Sequence, residues 1–220
     1  MKQATYGVDI AVRRADDLDR RALTYVKKRM QNIQGTPGVP CVRVLDLGCG
    51  AGGQAVRMAV VGATVVGMDV DVYADAFERL RTENTLTEAQ LDFIQGDVIQ
   101  LDALLDECMF DICCFQRTLH YLPYDQAYSV LVWLREHIKE KLYISVTGLE
   151  SDIGLHYADA HKPVEERFCA LTESDAETFC ITEPVCLYTP EEFIVLLQDS
   201  GWEIEECWVS AFGNIKTICR

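Results

Sequence analysis

Short apolar runs alternate with amphipathic stretches along much of the chain. Runs rich in β-branched and other apolar residues predict buried strands, and apolar residues spaced three and four apart predict helices. The predicted strands, the third with its exit, are residues 42–47, 64–69, 91–98, 110–116 and 142–148, and the predicted helices are residues 16–33, 72–84 and 124–140. A chain of 220 residues is long enough for one α/β domain with a sizeable core, which we place over residues 1–220.

The chain after residue 188 carries the start signal of one more helix. In Thr189-Pro190-Glu191-Glu192, the threonine suits the N-cap, the proline suits the first helical position, and Glu192 completes a capping box. Gly201 suits the position just past the end of this helix. Residues 202–209 and 214–219 then predict a closing pair of strands.

Four glycines occupy six positions directly after the first predicted strand: Gly48, Gly50, Gly52 and Gly53. Glycine lets the backbone turn sharply and approach a ligand that any Cβ would block. A helix is predicted to follow, and a helix N-terminus offers unpaired N–H groups and the positive end of a dipole. This arrangement predicts a small anionic or carboxylate-bearing ligand at the turn.

The spacing Gly48-x-Gly50-x-x-Gly53 also satisfies the dinucleotide-binding fingerprint. Two features argue against NAD as the ligand. Asp46 occupies a strand position where dinucleotide sites normally hold an apolar residue. The chain is also short for two mononucleotide-binding halves plus a substrate domain.

The run Leu45-Asp46-Leu47-Gly48-Cys49-Gly50-Ala51-Gly52 resembles motif I of the class I S-adenosylmethionine-dependent methyltransferases. The resemblance implies a Rossmann-like seven-stranded sheet with helices on both faces and an antiparallel last strand. It implies that the loop backbone at Gly48, Cys49 and Gly50 holds the methionine part of S-adenosylmethionine, and that Asp46 helps to organise the site. The expected reaction is transfer of a methyl group to an N, O or S atom.

Acidic residues follow the next two predicted strands. Asp69 lies at the tip of the second strand, where a carboxylate can accept both ribose hydroxyls. Asp71 competes for that role but suits the N-cap of the next helix, and Val70 would lie against the adenine face. By resemblance to the family, Asp97 and the backbone of Val98 contact adenine, although a common Asx-turn at Asp97 is the alternative.

The fourth strand and its exit, Phe110 to Pro123, resemble the family pattern in which the strand tip lies beside the transferable methyl group. This implies that Phe115, Gln116 and Arg117 line the reaction centre. Histidine titrates near neutral pH, and His120 is a candidate general base. In the family, however, the corresponding histidine is usually structural.

Residues 149–188 are predicted to be a substrate-specific insert. His156, Tyr157 and His161 are further candidates for a general base, with an exposed charged loop as the alternative. Their spacing, together with Asp159, matches no zinc pattern, so no metal is predicted. Residues 1–40 are predicted to form an N-terminal helical lid over the cofactor, to which Tyr6 could contribute.

Composition narrows the partners. Thirty-five acidic against 20 basic residues give a net charge of −15, which repels a phosphate backbone and makes nucleic acid an unlikely substrate. A small molecule or a cationic partner is favoured. The ten cysteines form no Cys-x-x-Cys pair, no secretory signal is found, and no apolar stretch has the length of a membrane span. We therefore expect a cytoplasmic protein with reduced thiols and no membrane contact, of unknown oligomeric state.

Three alternatives stay open at this point. Aminopropyl transfer from a decarboxylated cofactor uses the same fold, and the acidic insert could hold a polyamine. A cofactor-binding protein without catalysis, acting through a partner, would keep the same motifs. An NAD-dependent oxidoreductase is the least favoured, because no second nucleotide-binding half is found.

Overall fold

A computed structural model describes residues 3–4, 7–8, 16–33, 41–105 and 108–220. Two short strands, Gln3–Ala4 and Gly7–Val8, pair with each other in antiparallel fashion. Tyr6, proposed above as part of a lid, lies outside the described residues.

Seven strands form one mixed sheet: β1 (Arg43–Leu47), β2 (Thr64–Asp69), β3 (Leu91–Gln95), β4 (Phe110–Gln116), β5 (Ile138–Thr147), β6 (Ile204–Val209) and β7 (Asn214–Cys219). Their order across the sheet is β3-β2-β1-β4-β5-β7-β6. β1 pairs with β2, and β2 with β3, in parallel, whereas β6 and β7 are antiparallel. The predicted Rossmann-like seven-stranded sheet is confirmed.

The described part of the chain contains seven α-helices: α1 (Asp17–Ile33), α2 (Gly53–Val60), α3 (Ala74–Asn84), α4 (Leu101–Leu105), α5 (Tyr124–His137), α6 (Glu173–Phe179) and α7 (Pro190–Asp199). None of these helices is both long and apolar enough to cross a membrane. Helix α7 starts with the predicted capping box, in which Thr189 and Glu192 exchange two hydrogen bonds.

Helix α5 was predicted to reach Glu140, but it ends at His137 and β5 begins at once with the buried Ile138. In this strand the Glu140 carboxylate accepts hydrogen bonds from Tyr25, at 3.1 Å, and from Arg29 Nε, at 3.0 Å. Both partners lie on α1. Sequence periodicity does not report such a long-range contact, and for this reason the boundary prediction was wrong.

The chain divides into two compact units, and the first runs over residues 10–114 and 137–143. Its core is built from β1, β2 and β3 with the helices between them. Leu45, Met68, Phe77 and Leu91 are completely buried there. β1 is buried at four consecutive positions rather than at alternate ones, as expected for a parallel strand covered on both faces.

Helix α1 is fixed to α2 within this unit. The Asp16 and Asp19 side chains each accept a hydrogen bond from the backbone N–H of the other, which caps the start of α1. Gln54 of α2 donates its side-chain amide to the Asp19 carbonyl at 3.2 Å, and Arg57 lies 3.8 Å from the Asp19 carboxylate. The predicted helix over residues 16–33 is thereby confirmed, and its first turn is held by polar contacts.

The second unit contains residues 115–136 and 144–220 together with the short strand pair. The segment 149–188 has an apolar core of its own, formed by Tyr157, Leu171, Ile181, Val185 and Leu187. Short 3-10 turns and α6 surround this core. The segment 149–188 is therefore folded around an apolar core of its own.

Arg167 joins this insert to α7. The side chain is 4% exposed and forms a bidentate ion pair with Glu192 at 2.7 and 3.0 Å. Its guanidinium also donates to the carbonyls of Lys162 and Leu187, at 2.7 and 2.9 Å. Burial by itself would raise the pKa of Glu192, but the hydrogen bonds from Arg167 and from the Thr189 backbone outweigh it and hold the pKa below its usual 4.5.

Removing the negative charge of this pair should destabilise the second unit. We expect Glu192→Gln to lower the free energy of unfolding near pH 7 by about 3 kcal/mol, because it leaves a buried guanidinium without a counter-charge. The lowered pKa stabilises the fold fully above pH 4.5, and this gain is lost as the pH falls through the folded-state value. The difference between wild type and variant, measured by urea unfolding, should therefore shrink in acid.

The matched control is Glu191→Gln, which changes the exposed neighbouring carboxylate in the same helical turn. We expect it to change the unfolding free energy by less than about 0.5 kcal/mol. Equal losses in the two variants would contradict the structural role of the Arg167–Glu192 pair.

Candidate functional site

The glycine-rich turn of the first unit connects β1 to α2. Gly48, Gly50 and Gly52 all have left-handed backbone conformations, with φ of 63°, 51° and 80°. A Cβ added at Gly52 would lie 2.8 Å from the Phe77 ring, so this position has no room for a side chain. The turn therefore requires glycine for both conformation and space, and it brings bare backbone to the end of β1.

The tip of β2 holds this turn in place. The N–H groups of Gly48 and Cys49 donate to the Met68 carbonyl at 2.8 and 3.1 Å. The Asp69 carboxylate accepts a hydrogen bond from Gly50 N–H through Oδ2, at 2.8 Å, and one from Asp71 N–H through Oδ1, at 3.0 Å. Asp69 thus organises the loop as well as standing at the predicted ribose position.

Asp46 lies one residue before the end of β1 and is 5% exposed. Its negative charge reaches the neighbouring strand β4. The pKa values of the Cys113 and Cys114 thiols are raised well above their usual value. Burial is the larger cause, and the negative charge of Asp46 is the second. Both thiols are fully buried and neutral, so they contribute packing rather than nucleophilic chemistry.

The predicted adenine contacts lie at the exit of β3. Asp97 caps the short 3-10 helix Val98–Gln100, because its carboxylate accepts the Ile99 N–H at 3.2 Å. The Val98 side chain is buried in the core, whereas Ile99 is 49% exposed. Ile99 is an apolar surface that sequence reasoning missed, although an apolar residue two positions after the acidic one was a visible signal.

At the tip of β2, Val70 is 37% exposed and Val72 is 70% exposed. The side-chain amide of Gln95, the last residue of β3, donates to the Val70 carbonyl at 3.3 Å. The exits of β2 and β3 are therefore joined, and each offers exposed aliphatic surface suited to the face of a flat base.

The second unit contains the residues predicted to line the reaction centre. Phe115 is fully buried, and Gln116 and Arg117 are half-buried. Arg117 has a left-handed backbone with φ of 52°, and its N–H donates to the Ser145 carbonyl on β5 at 2.8 Å. A residue with a Cβ adopts this conformation at a cost of about 1–2 kcal/mol, so the strand exit is strained.

His120 lies in the 3-10 helix Leu119–Tyr121 and is 2% exposed. Its Nε2 is 3.4 Å from the Thr147 hydroxyl, and its Nδ1 has no hydrogen-bond partner among the described residues. The pKa of His120 is lowered from 6.5 to about 3, mainly because the imidazole is buried and secondly because of the positive charge of Arg117. The imidazole is therefore neutral at neutral pH, which suits hydrogen bonding better than proton storage.

Two polar residues of β5 complete this group, which we call the Arg117 cluster: Arg117, His120, Ser145 and Thr147. Ser145 and Thr147 are 1% and 4% exposed and, two residues apart, face the same side of the strand. Sequence reasoning missed both. The available signal was the presence of two hydroxyl residues inside an otherwise apolar strand.

Cys186 of the insert donates its backbone N–H to the His120 carbonyl at 2.7 Å, whereas the candidate bases His156, Tyr157 and His161 form no hydrogen bond or ion pair with the cluster among the described residues. His156 pairs with Asp175 at 3.3 Å and is mostly exposed, and His161 is also exposed. The Tyr157 hydroxyl donates to the Val185 carbonyl inside the insert core, and burial raises the pKa of this phenol. This engaged phenol is poorly suited to act as a general base.

Comparison with known proteins was made on sequence and on structure. A family model described as a methyltransferase domain matches residues 44–141. Comparison with the curated proteins gives no match. The matched residues contain the glycine-rich turn, Asp69, Asp97 and the Arg117 cluster apart from Ser145 and Thr147.

Solved structures share the fold at low identity. A protein from Pyrococcus horikoshii is 18% identical with a TM-score of 0.60, and 93% of each chain is covered. The 1,6-didemethyltoxoflavin N1-methyltransferase of Burkholderia thailandensis is 16% identical with a TM-score of 0.63, covering 93% of this chain and 78% of that one. The magnesium protoporphyrin IX methyltransferase of Synechocystis is 17% identical with a TM-score of 0.54, covering 94% and 83%.

The buried imidazole gives a stability signature that can be measured. The folded-state pKa of His120 is about 3 against 6.5 in an unfolded chain, so the unfolded state takes up the proton first. The contribution of neutral His120 to the free energy of unfolding is complete above pH 6.5. It falls by about 1.4 kcal/mol per pH unit between pH 6.5 and pH 3. Between pH 7 and pH 5, we expect His120→Gln to lose about 2 kcal/mol less unfolding free energy than the wild type.

Urea unfolding at both pH values measures this difference. His161→Gln replaces an exposed histidine of the same unit and should keep the wild-type pH dependence. If His120→Gln shows the same loss as the wild type, the histidine is not held neutral by its surroundings.

Proposed function

We propose that the chain transfers the methyl group of S-adenosylmethionine to an N, O or S atom of a small acceptor molecule, since residues 44–141 match the model of a methyltransferase domain. The resemblance to this family is confirmed by the family model and by the shared fold. The observation that carries the proposal is the glycine-rich turn, in which three left-handed glycines present bare backbone beside the Asp69 carboxylate.

The residues of the first unit fit this cofactor. The left-handed backbone of Gly48 and Gly50 and the N-terminus of α2 suit the carboxylate-bearing methionine part. Asp69 and Val70 suit the ribose and the adenine face, and the Asp97–Val98 backbone with Ile99 suits the opposite side of the base. Two of the related structures contain S-adenosylhomocysteine or S-adenosylmethionine, which supports the assignment.

The bound cofactor supplies an already activated methyl group on a sulfonium sulfur. The protein then has to align the acceptor atom and exclude water, and it needs a base only when the acceptor arrives protonated. His120 is the candidate for this general base, because a neutral imidazole has one nitrogen that can accept a proton. His156 and His161 are exposed, which leaves them as weaker candidates.

The acceptor is proposed to be a small molecule rather than a nucleic acid. The net charge of −15 disfavours a phosphate backbone. The related enzymes from Burkholderia thailandensis and Synechocystis are named for small-molecule acceptors, a didemethyltoxoflavin and a magnesium porphyrin. None of the ten cysteines forms a disulfide, which agrees with a reducing, cytoplasmic location as part of this proposal. One domain over residues 1–220, with a lid at 1–40 and a substrate insert at 149–188, also stays a prediction.

Calorimetric titration with S-adenosylmethionine, S-adenosylhomocysteine, decarboxylated S-adenosylmethionine and NADH tests the proposal. We expect the first two to bind, and Asp69→Asn to weaken both by about tenfold or more, because it removes a charged acceptor. Asp71→Asn, the matched change at the competing carboxylate, should bind as the wild type does.

Each other result has a defined meaning. Binding of NADH alone, or of none of the four, would overturn the methyltransferase proposal. A preference for the decarboxylated compound would favour aminopropyl transfer. If Asp71→Asn weakens binding and Asp69→Asn leaves it unchanged, the ribose contact belongs to Asp71.

A further inference from the structure

Among the residues that the structure describes, the guanidinium of Arg117 has no partner, in contrast to the other arginines and lysines that are buried or half-buried. Within the described ranges, each of those cations has a hydrogen bond, an ion pair or a ring contact: Arg29, Arg57, Arg81, Lys141, Lys162, Arg167 and Lys216. For Arg117 the described residues supply a backbone hydrogen bond and no partner for the side chain. A half-buried guanidinium without an anion is available to pair with an anionic ligand.

The backbone conformation of Arg117 also indicates a ligand site. Among the described residues, three other than glycine have a positive φ, and two of them, Thr85 and Cys180, end helices α3 and α6 in the usual left-handed cap. Arg117 ends no helix. Its conformation is held by the hydrogen bond from its N–H to Ser145, and strain of this kind, observed rather than assumed, is concentrated at ligand sites.

Two residues next to Arg117 carry buried polar atoms without partners. Ser145, whose carbonyl accepts the Arg117 N–H, and His120, three residues further on, are at least 98% buried, and Ser145 Oγ and His120 Nδ1 have no hydrogen-bond partner in the described part of the chain. Buried polar atoms are nearly always satisfied, so two unsatisfied ones on residues next to this cation point to a bound polar group. Thr147 adds a hydroxyl within 3.4 Å of the same imidazole.

Three carboxylates of the second unit are already paired. Asp159 and Asp175 contact Lys162 and His156, and Glu192 contacts Arg167. These three acidic groups are therefore engaged within the protein.

We propose that the Arg117 cluster binds the acceptor, and that the acceptor is a small carboxylic acid whose carboxylate pairs with the Arg117 guanidinium. This inference rests on the proposed methyltransferase function and adds the chemical class of its substrate. Ser145 and His120 hydrogen-bond the polar groups next to that carboxylate. The planar guanidinium matches a carboxylate through two parallel hydrogen bonds, which gives both affinity and orientation.

A carboxylate has a second source, the methionine part of the cofactor. The glycine-rich turn and the N–H groups that start α2 already suit that group. We therefore assign Arg117 to the acceptor, and the test separates the two sources.

The test uses the full chain saturated with S-adenosylhomocysteine, titrated calorimetrically with benzoate, benzamide and benzylamine. These probes share a ring and differ in charge. We expect benzoate to bind about tenfold or more tightly than the neutral and cationic probes, and Arg117→Gln to abolish this preference. Arg117→Lys should retain part of it, because it keeps the charge and loses the fork geometry.

Two further variants protect the interpretation. Arg117→Gly removes the guanidinium and relieves the left-handed backbone, so it should fold at least as stably as the wild type and also lose benzoate binding. Arg79→Gln, which removes an exposed arginine of α3, makes the same charge change and should keep benzoate binding.

Each outcome supports or overturns the proposal. Equal binding of benzoate and benzamide, benzoate binding that persists in Arg117→Gln, or a preference for benzylamine would overturn it. Weaker S-adenosylhomocysteine binding in Arg117→Gln would assign the arginine to the cofactor and overturn it as well. If the wild type does not bind S-adenosylhomocysteine, the proposed function is refuted. Failure of the proposed function is thereby distinguished from failure of the acceptor proposal.

Discussion

The hydrogen bond from Gly50 N–H to the Asp69 carboxylate is the contact on which the cofactor side of this protein depends. It joins the loop after β1 to the tip of β2 over 2.8 Å, and the Met68 carbonyl adds two backbone hydrogen bonds to the same loop. With the loop held from one side, its left-handed glycines can leave their other side open. An acidic strand tip therefore shapes the proposed binding surface.

Much of this arrangement could be predicted from the sequence, because it depends on local patterns. β2 and β4 have the predicted bounds, and the capping box at Thr189 and Glu192 forms as expected. Glycine spacing and strand-terminal acids are visible in a single sequence because backbone conformation limits which residues can occupy those positions. The site roles of Asp46, Cys49 and Asp97 nevertheless stay predictions.

The remaining features depend on contacts between distant parts of the chain. The boundary between α5 and β5 depends on Glu140 meeting Arg29 of α1, and the anchoring of the insert depends on Arg167 meeting Glu192. The importance of Arg117 lies in the absence of a partner within the described residues, and no sequence pattern encodes an absence. Ser145 and Thr147 were overlooked because a strand that is mostly apolar was interpreted only as core.

This division follows from the chemistry. A sulfonium methyl group is activated before it binds, so a methyltransferase gains little from an elaborate set of acids and bases and much from alignment. The cofactor side can then be built from backbone, which many sequences share, whereas the acceptor side has to be built from particular side chains. A neutral buried His120 agrees with that view, since it hydrogen-bonds without storing a proton. The strained and unpaired Arg117 is for this reason more informative about the substrate than any candidate base.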